Sequence, residues 1–153
     1  MGRKRARLDD IRFEQQNKFS LIGCYGPDLI LLQKPPVVLP KFCMVIQTRF
    51  PAEPRSPGKI VIYLPDGEEP LTTIEWEQEP EYKMDRILNP KVDKDVEIQR
   101  AFLFPCIFSP LLIQQSGPIR VRMFYRSETI KLGAIQVVFK DESRSEPSAA
   151  ASA

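Results

Sequence analysis

The sequence contains no histidine among its 153 residues. Histidine is the commonest general base, a frequent metal ligand, and the side chain whose charge changes near neutral pH. Its absence excludes Ser-His-Asp and Cys-His nucleophilic catalysis, and every histidine-bearing zinc site, within one chain. Only seven glycines are present, and neither phosphate-binding pattern, G-x-x-x-x-G-K or G-x-G-x-x-G, occurs among them. We therefore expect no cofactor and no catalytic motif.

Long apolar runs are also missing from the sequence. No stretch approaches the roughly 20 apolar residues of a membrane span, and the basic N-terminus is not followed by the apolar core of a signal peptide. The three cysteines (Cys24, Cys43 and Cys106) lie far apart in apolar segments, without C-x-x-C spacing. We expect all three to be reduced and buried, in a cytoplasmic protein that has no metal site and no contact with a membrane.

Proline, in contrast, is abundant. The chain has fifteen prolines, about twice the usual share of ~5%, and almost every apolar run is bounded by one. Proline cannot donate to a strand ladder or sit inside a helix, so this spacing favours many short extended segments. The pattern predicts an all-β protein. We expect a single antiparallel β-sandwich, immunoglobulin-like or C2-like, of about eight or nine short strands.

Composition divides the chain into three regions. Residues 1–7 hold four basic residues, and the rest of the chain has 18 basic and 20 acidic residues. We interpret 1–7 as a flexible arm that folding does not need, and we expect no nucleic-acid binding because the body is slightly acidic. Residues 8–140 form the predicted domain. Residues 141–153 lack large apolar side chains and are predicted to be disordered.

Short apolar runs between turn-forming residues place the strands. They are predicted at 8–14, 19–25, 29–32, 42–50, 59–64, 71–78 and 96–104, with an edge or crossing segment at 37–39. The turn Gly26-Pro27-Asp28 predicts that the strands at 19–25 and 29–32 form a hairpin or a sharply bent pair. A polar connection over 82–95 has room for a short helical turn around Met84–Leu88, and 105–116 is predicted to cross between the sheets.

The clearest hairpin lies near the C-terminus. Residues 119–126 alternate between apolar and polar types, Arg126-Ser127-Glu128 supplies the turn, and 130–139 forms the return strand. The apolar positions of the return strand change parity at Gly133. A β-bulge there would restore the inward phase, since one extra residue reverses the direction of every later side chain.

Acidic residues are concentrated between 66 and 81, where seven acids occur without any lysine or arginine. Clustered carboxylates could hold calcium or act in a carboxylate- or metal-dependent enzyme. However, the Asp-x-Asp-x-Asp-Gly loop pattern is absent, and Glu75, Glu77 and Glu79 would line one side of a strand. We favour a solvated strand face over a metal site.

A second charged group is the only candidate binding site. Asp10, Arg12 and Glu14 share one face of the first predicted strand, and Lys18 follows it. Opposite charges two residues apart form ion-pair ladders worth roughly a few tenths of a kcal/mol each. We favour such a structural ladder over an exposed recognition site.

These residues also carry a family resemblance. The segments DDIRFE (9–14), KFSLIGCYG (18–26), VLPK (38–41) and the KLG before the last strand (131–133) resemble a family of uncharacterised bacterial and phage proteins with D-D-x-R-x-E and K-x-S-L-I-G-x-Y-G motifs. The resemblance implies a single β domain and no particular activity. Because catalytic motifs and histidine are missing, we expect a non-enzymatic structural or protein-interaction module that binds an unknown protein partner or itself. The alternative is a carboxylate- or metal-dependent enzyme, or a calcium-binding domain, that uses residues 66–81.

Overall fold

In a computed structural model of the protein, residues 4–8, 10–15, 18–22, 26, 28–65, 67–80 and 99–140 are described. These residues form twelve β-strands and no helix, which confirms the all-β prediction. The strands are β1 (Lys4–Leu8), β2 (Asp10–Phe13), β3 (Phe19–Ile22), β4 (Asp28–Leu31), β5 (Val37–Leu39), β6 (Phe42–Pro51), β7 (Gly58–Tyr63), β8 (Thr72–Trp76), β9 (Gln99–Phe108), β10 (Leu111–Ile113), β11 (Gly117–Tyr125) and β12 (Glu128–Phe139).

Two large sheets form the sandwich. One has the strand order β1-β6-β9, and the other has the order β4-β12-β11-β7-β8. Two-stranded ribbons, β10-β5 and β2-β3, complete the described fold. All pairs are antiparallel except β12 with β4, which run parallel. The architecture therefore differs from the purely antiparallel prediction at one sheet edge, and it has more strands than the expected eight or nine.

The main core fills the space between the large sheets. Side chains alternate along β6, and Phe42, Met44 and Ile46 belong to this core. They form one buried cluster with side chains of the five-stranded sheet, namely Leu29, Ile60, Ile62, Ile119, Val121, Met123 and Val137. Each aliphatic side chain removed from water contributes roughly 1.5–3 kcal/mol. The core therefore depends on the apolar side chains that the sequence places at every second residue of the strands.

A smaller core lies on the other face of β6. Cys43 and Val45 are buried there together with Ile11 of β2. The β2–β3 ribbon therefore packs on the outer side of the three-stranded sheet as a third layer. The single strand predicted over 8–14 is divided into β1, which pairs with β6, and β2, which pairs with β3.

The prediction that 19–25 and 29–32 form a hairpin or a sharply bent pair is wrong for the strands that the structure describes there. The β3 strand pairs with β2, whereas β4 joins the edge of the five-stranded sheet beside β12. The burial of Leu29 and Leu31 in the main core explains the difference. A local hairpin would give up that burial, and apolar burial outweighs the turn preference of Gly-Pro-Asp.

The C-terminal hairpin forms as predicted. Arg126 and Ser127 make the turn with φ angles of 49° and 64°, the left-handed geometry of a two-residue hairpin loop. The register shifts where Val121 pairs with Gly133 and Arg122 pairs with Lys131, which confirms the bulge. Gly133 has a φ of 142°, a conformation that glycine adopts without strain.

Three other expectations concern the ends and the long connection of the chain. Residues 4–7, interpreted as part of a flexible arm, belong to β1 and pair with β6 from Gln47 to Met44. Most of the basic arm therefore lies in a strand at the edge of the three-stranded sheet. The helical turn expected at Met84–Leu88 and the disordered tail expected at 141–153 lie outside the described residues.

The turn geometry generates the first prediction. Ser127 holds a positive φ without a glycine's freedom, which costs on the order of 1–3 kcal/mol at such positions. Ser127→Gly should relieve this strain and raise the free energy of unfolding by about 0.5–1 kcal/mol, because the strain relieved exceeds the extra entropy that glycine gives the unfolded chain. Urea unfolding measures the change. The Ser127→Ala variant keeps the side-chain clash, so a gain of similar size in that control would contradict the explanation.

The two cores generate a second prediction. Cys43 and Cys106 are buried thiols, and burial raises the pKa of Cys106 to about 11. Both should react slowly with a thiol reagent in the native protein and completely after denaturation, because only the exposed thiolate attacks. Cys24 lies outside the described residues, so the assay uses a Cys24→Ser variant. Rapid labelling of either remaining thiol in the native state would refute this expectation.

Candidate interaction site at the hairpin end

The predicted charged group on β2 forms ion pairs. Asp10 bonds Lys41, and its carboxylate also lies 3.5 Å from Nε of Arg12. The hydrogen bond from Lys41 lowers the pKa of Asp10, and the same bond raises the pKa of Lys41. All three groups are well solvated, so these contacts tie β2 to the start of β6 without forming a buried site.

The other two predicted residues act at the β2–β3 turn. Ser20 donates its hydroxyl hydrogen to the Glu14 carboxylate, and the Glu14 N–H donates to the carbonyl of Lys18 at 2.8 Å. The group therefore closes a turn, and Lys18 contributes its backbone. Neither of the two cavities described below is lined by any of these four residues.

The acidic residues differ in their environment before and after the end of β8. Thr73, Glu75 and Glu77 are exposed, as the predicted solvated face requires. The expectation fails at Glu79, whose side chain is only 20% exposed and turns toward two arginines. No group of three or more potential metal ligands occurs among the described residues.

Arg55 occupies an aromatic box at this end of the sandwich. Its guanidinium carbon lies 4.4 Å from the ring centre of Phe102, 5.0 Å from Trp76 and 5.9 Å from Phe50. Only 13% of the Arg55 side chain is exposed. Desolvated cation–π contacts contribute up to about 2 kcal/mol. The loop between β6 and β7 is therefore anchored by its own arginine.

Glu79 completes this anchor. Its carboxylate accepts hydrogen bonds from the Arg55 backbone N–H at 2.9 Å and from Nη2 of Arg100 at 2.7 Å. The Glu79 N–H donates in turn to the Arg55 carbonyl at 2.9 Å. Burial raises the pKa of Glu79, but the bonds from Arg100 and Arg55 outweigh it, so the net pKa is lowered. An ionised carboxylate held in this way joins three segments, and its lowered pKa favours the charged form.

The same loop is held from the other side by Ser56. Nε1 of Trp76 donates to the Ser56 carbonyl at 2.8 Å, and the Ser56 N–H donates to the Tyr125 hydroxyl at 3.2 Å. Gly58 permits this close approach, because a Cβ there would lie 2.5 Å from the Trp76 ring and 2.9 Å from the Phe124 carbonyl oxygen. The aromatic end of the sandwich is thus rigid.

An open groove of about 680 Å³ runs beside this rigid end, and we call it the hairpin groove. It lies along the tip of the β11–β12 hairpin and the end of β8. Its aromatic lining is Trp76, Phe124 and Tyr125, and its carboxylates are Glu75, Glu77 and Glu128. This volume lies within the range of small-ligand and peptide sites.

The basic side chains that line the hairpin groove have partners among the described residues, whereas its carboxylates form no ion pairs with them. Arg126 pairs with Glu53 at 2.7 Å, and the Lys59 ammonium lies 5.4 Å from the ring centre of Phe124. In contrast, none of the three groove carboxylates forms an ion pair with a described residue. The groove therefore combines an apolar floor with negative charge that is available to a ligand.

A second cavity of about 370 Å³ lies on the other side of the hairpin tip. It shares Tyr125, Arg126 and Glu128 with the hairpin groove and reaches Phe50 and Met123 of the core. Cavities therefore lie on both sides of the hairpin tip, and the aromatic rings around Arg55 support the tip from behind.

Comparison with known proteins gives no further guide, because no family model, curated protein or solved structure matches the chain. The resemblance to a bacterial and phage family therefore stays a prediction, as does the choice between immunoglobulin-like and C2-like topology. Among the described residues, no helix is long and apolar enough to cross a membrane.

The Arg55–Glu79 anchor generates the third prediction. Glu79→Gln should lower the free energy of unfolding by about 1–3 kcal/mol at pH 7, because two charge-assisted hydrogen bonds are weakened. The folded-state pKa lies below the usual 4.5, so this contribution is present above about pH 4.5 and is lost as the pH falls through the folded pKa.

Urea unfolding of both proteins between pH 7 and pH 3 measures the difference. The gap between them should narrow on acidification. The matched control is Glu77→Gln, an exposed carboxylate on the same segment, which should change stability by less than about 0.5 kcal/mol. A gap that widens at low pH would show that Glu79 acts in some other way.

Proposed function

We propose that the chain is a non-enzymatic protein-interaction module, and that the hairpin groove binds a segment of a partner protein in which an apolar side chain stands beside a basic one. The observation that carries this proposal is that one groove combines a rigid aromatic floor with carboxylates that form no ion pair with a described residue. The buried thiols of Cys43 and Cys106 support a reducing compartment such as the cytoplasm.

The floor supplies the apolar part of the interaction. Trp76 and Tyr125 are fixed by hydrogen bonds to Ser56, so their rings present contact area without losing side-chain entropy on binding. Tryptophan, tyrosine and arginine are the residues most often found at energetically dominant interface positions. An aliphatic or aromatic side chain of the partner would fill the groove between Trp76 and Phe124.

The carboxylates determine which partner fits. Glu75, Glu77 and Glu128 are exposed and unpaired among the described residues, whereas Arg126 is already paired with Glu53. A basic side chain can therefore gain an ion pair at the rim, while an acidic side chain would meet repulsion. Charge complementarity of this kind directs association and excludes wrong partners.

The alternative, an enzyme or calcium-binding domain using residues 66–81, gains no support. Glu79 is held by Arg100 and Arg55 and turns away from Glu75 and Glu77, so these three carboxylates do not converge. Hard cations need six or more oxygen ligands around one point.

The fourth prediction tests the groove with defined peptides. Trp76 is the only tryptophan, so its fluorescence reports occupancy directly. A short peptide alternating phenylalanine with arginine should produce a saturable change in Trp76 emission. The same peptide with glutamate in place of arginine should produce none, because the rim carboxylates repel it.

Matched variants locate the site. The double variant Glu75→Lys, Glu77→Lys should weaken binding of the basic peptide by at least about tenfold. The control Glu68→Lys, Glu69→Lys makes the same charge change at exposed positions outside the groove and should leave binding unchanged. Equal binding of both peptides, or equal loss in both double variants, would exclude the groove as the specific site.

A further inference from the structure

Lys59 lies between two other residues that line the hairpin groove. In the strand pairing it stands directly opposite Glu75 of β8 on one side and Phe124 of β11 on the other. All three residues line the groove. Directly opposed residues of antiparallel strands have Cβ atoms about 4.5–5.5 Å apart. The flexible four-carbon stem of Lys59 can therefore bring its ammonium to either neighbour.

The Lys59 ammonium lies on the side of the aromatic ring. It is 5.4 Å from the ring centre of Phe124, and Lys59 forms no ion pair with a described residue. Arg126, the other basic residue of the groove, is fixed by the Glu53 carboxylate at 2.7 Å and by the Ser56 hydroxyl at 3.2 Å. Contacts between exposed cations and rings are weak. Lys59 is therefore the basic side chain of the groove that a ligand can displace.

This position of Lys59 conflicts with the apolar part of the interaction. Strand β7 lies between β8 and β11, so the Lys59 side chain approaches Phe124 from the side of Trp76. A partner side chain that packs between Trp76 and Phe124 must take this place. We propose that Lys59 selects the ligand of the hairpin groove: it covers Phe124 in the free protein and moves to Glu75 when an apolar side chain displaces it. This inference rests on the function proposed above for the same groove.

The exchange determines what a ligand has to supply. A basic side chain without an apolar neighbour meets the positive charge of Lys59 and leaves Phe124 covered. An apolar side chain uncovers the ring and lets Lys59 pair with Glu75, which offsets the lost ring contact. Glu77 and Glu128 then remain for a basic side chain of the ligand. The groove therefore favours a segment that carries both kinds of side chain.

The fifth prediction uses an uncharged peptide that alternates phenylalanine with glutamine, so that the charge of Lys59 has little direct effect on affinity. Lys59→Ala uncovers Phe124 and should bind this peptide about three- to fivefold more tightly than the wild type, as measured by Trp76 emission. Lys59→Arg keeps the cation near the ring and should bind no more tightly. The matched control Lys131→Ala removes the same charge at an exposed position outside the groove and should leave the affinity unchanged.

Nuclear magnetic resonance follows the displacement itself. The Phe124 ring current should shift the Cε protons of Lys59 upfield in the free protein, and Phe124→Leu should abolish this shift. A peptide alternating leucine with arginine has no ring of its own. Saturating the groove with it should also abolish the shift, because the Lys59 ammonium leaves the ring.

The outcomes separate this inference from the proposed function. If the wild type binds the leucine–arginine peptide while Lys59 keeps its shift, the role of Lys59 is wrong and the groove remains the binding site. An uncharged peptide that gains no affinity from Lys59→Ala, or that gains as much from Lys131→Ala, leads to the same conclusion. If neither the wild type nor Lys59→Ala binds any of the peptides, the proposed function is wrong and the inference falls with it.

Discussion

The burial of both faces of β6 is the constraint on which the rest of the structure depends. One face enters the main core through Phe42, Met44 and Ile46, and the other is covered by β2 through Cys43 and Val45. A strand that is apolar on both faces cannot lie at a surface, so the chain must supply a layer on each side. The five-stranded sheet provides one layer and the β2–β3 ribbon provides the other.

The hairpin end shows how a sandwich can carry a rigid recognition surface on loops. Arg55 and Glu79 come from two loops, yet each is held by backbone as well as side-chain bonds. The aromatic rings around Arg55 come from β6, β8 and β9, so the loop is fixed to both sheets at once. Loops anchored in this way lose little freedom on binding, which favours affinity.

The sequence was informative where the physical signal is local. Strict alternation predicted the strands around Glu75 and the C-terminal hairpin, and a change of parity predicted the bulge at Gly133. Strand pairing is not local, because it depends on where the apolar face of a strand is buried in the larger core. The predicted partner of β4 was wrong for this reason. Glu79 departs from its strand face because β8 ends at Trp76 and the backbone then turns toward Arg55. No spacing in the sequence signals that turn.

The parallel pair of β4 and β12 has a consequence for the order of folding. Asp28 pairs with Gln136, so this contact joins positions near the two ends of the domain. Closing so long a loop costs more chain entropy than closing the β11–β12 hairpin, and contacts of this range slow the search for the native topology. Docking of β4 therefore belongs late in folding, after the hairpin has formed a template. Until then the apolar edge of β12 is open, and β4 is the segment that closes it.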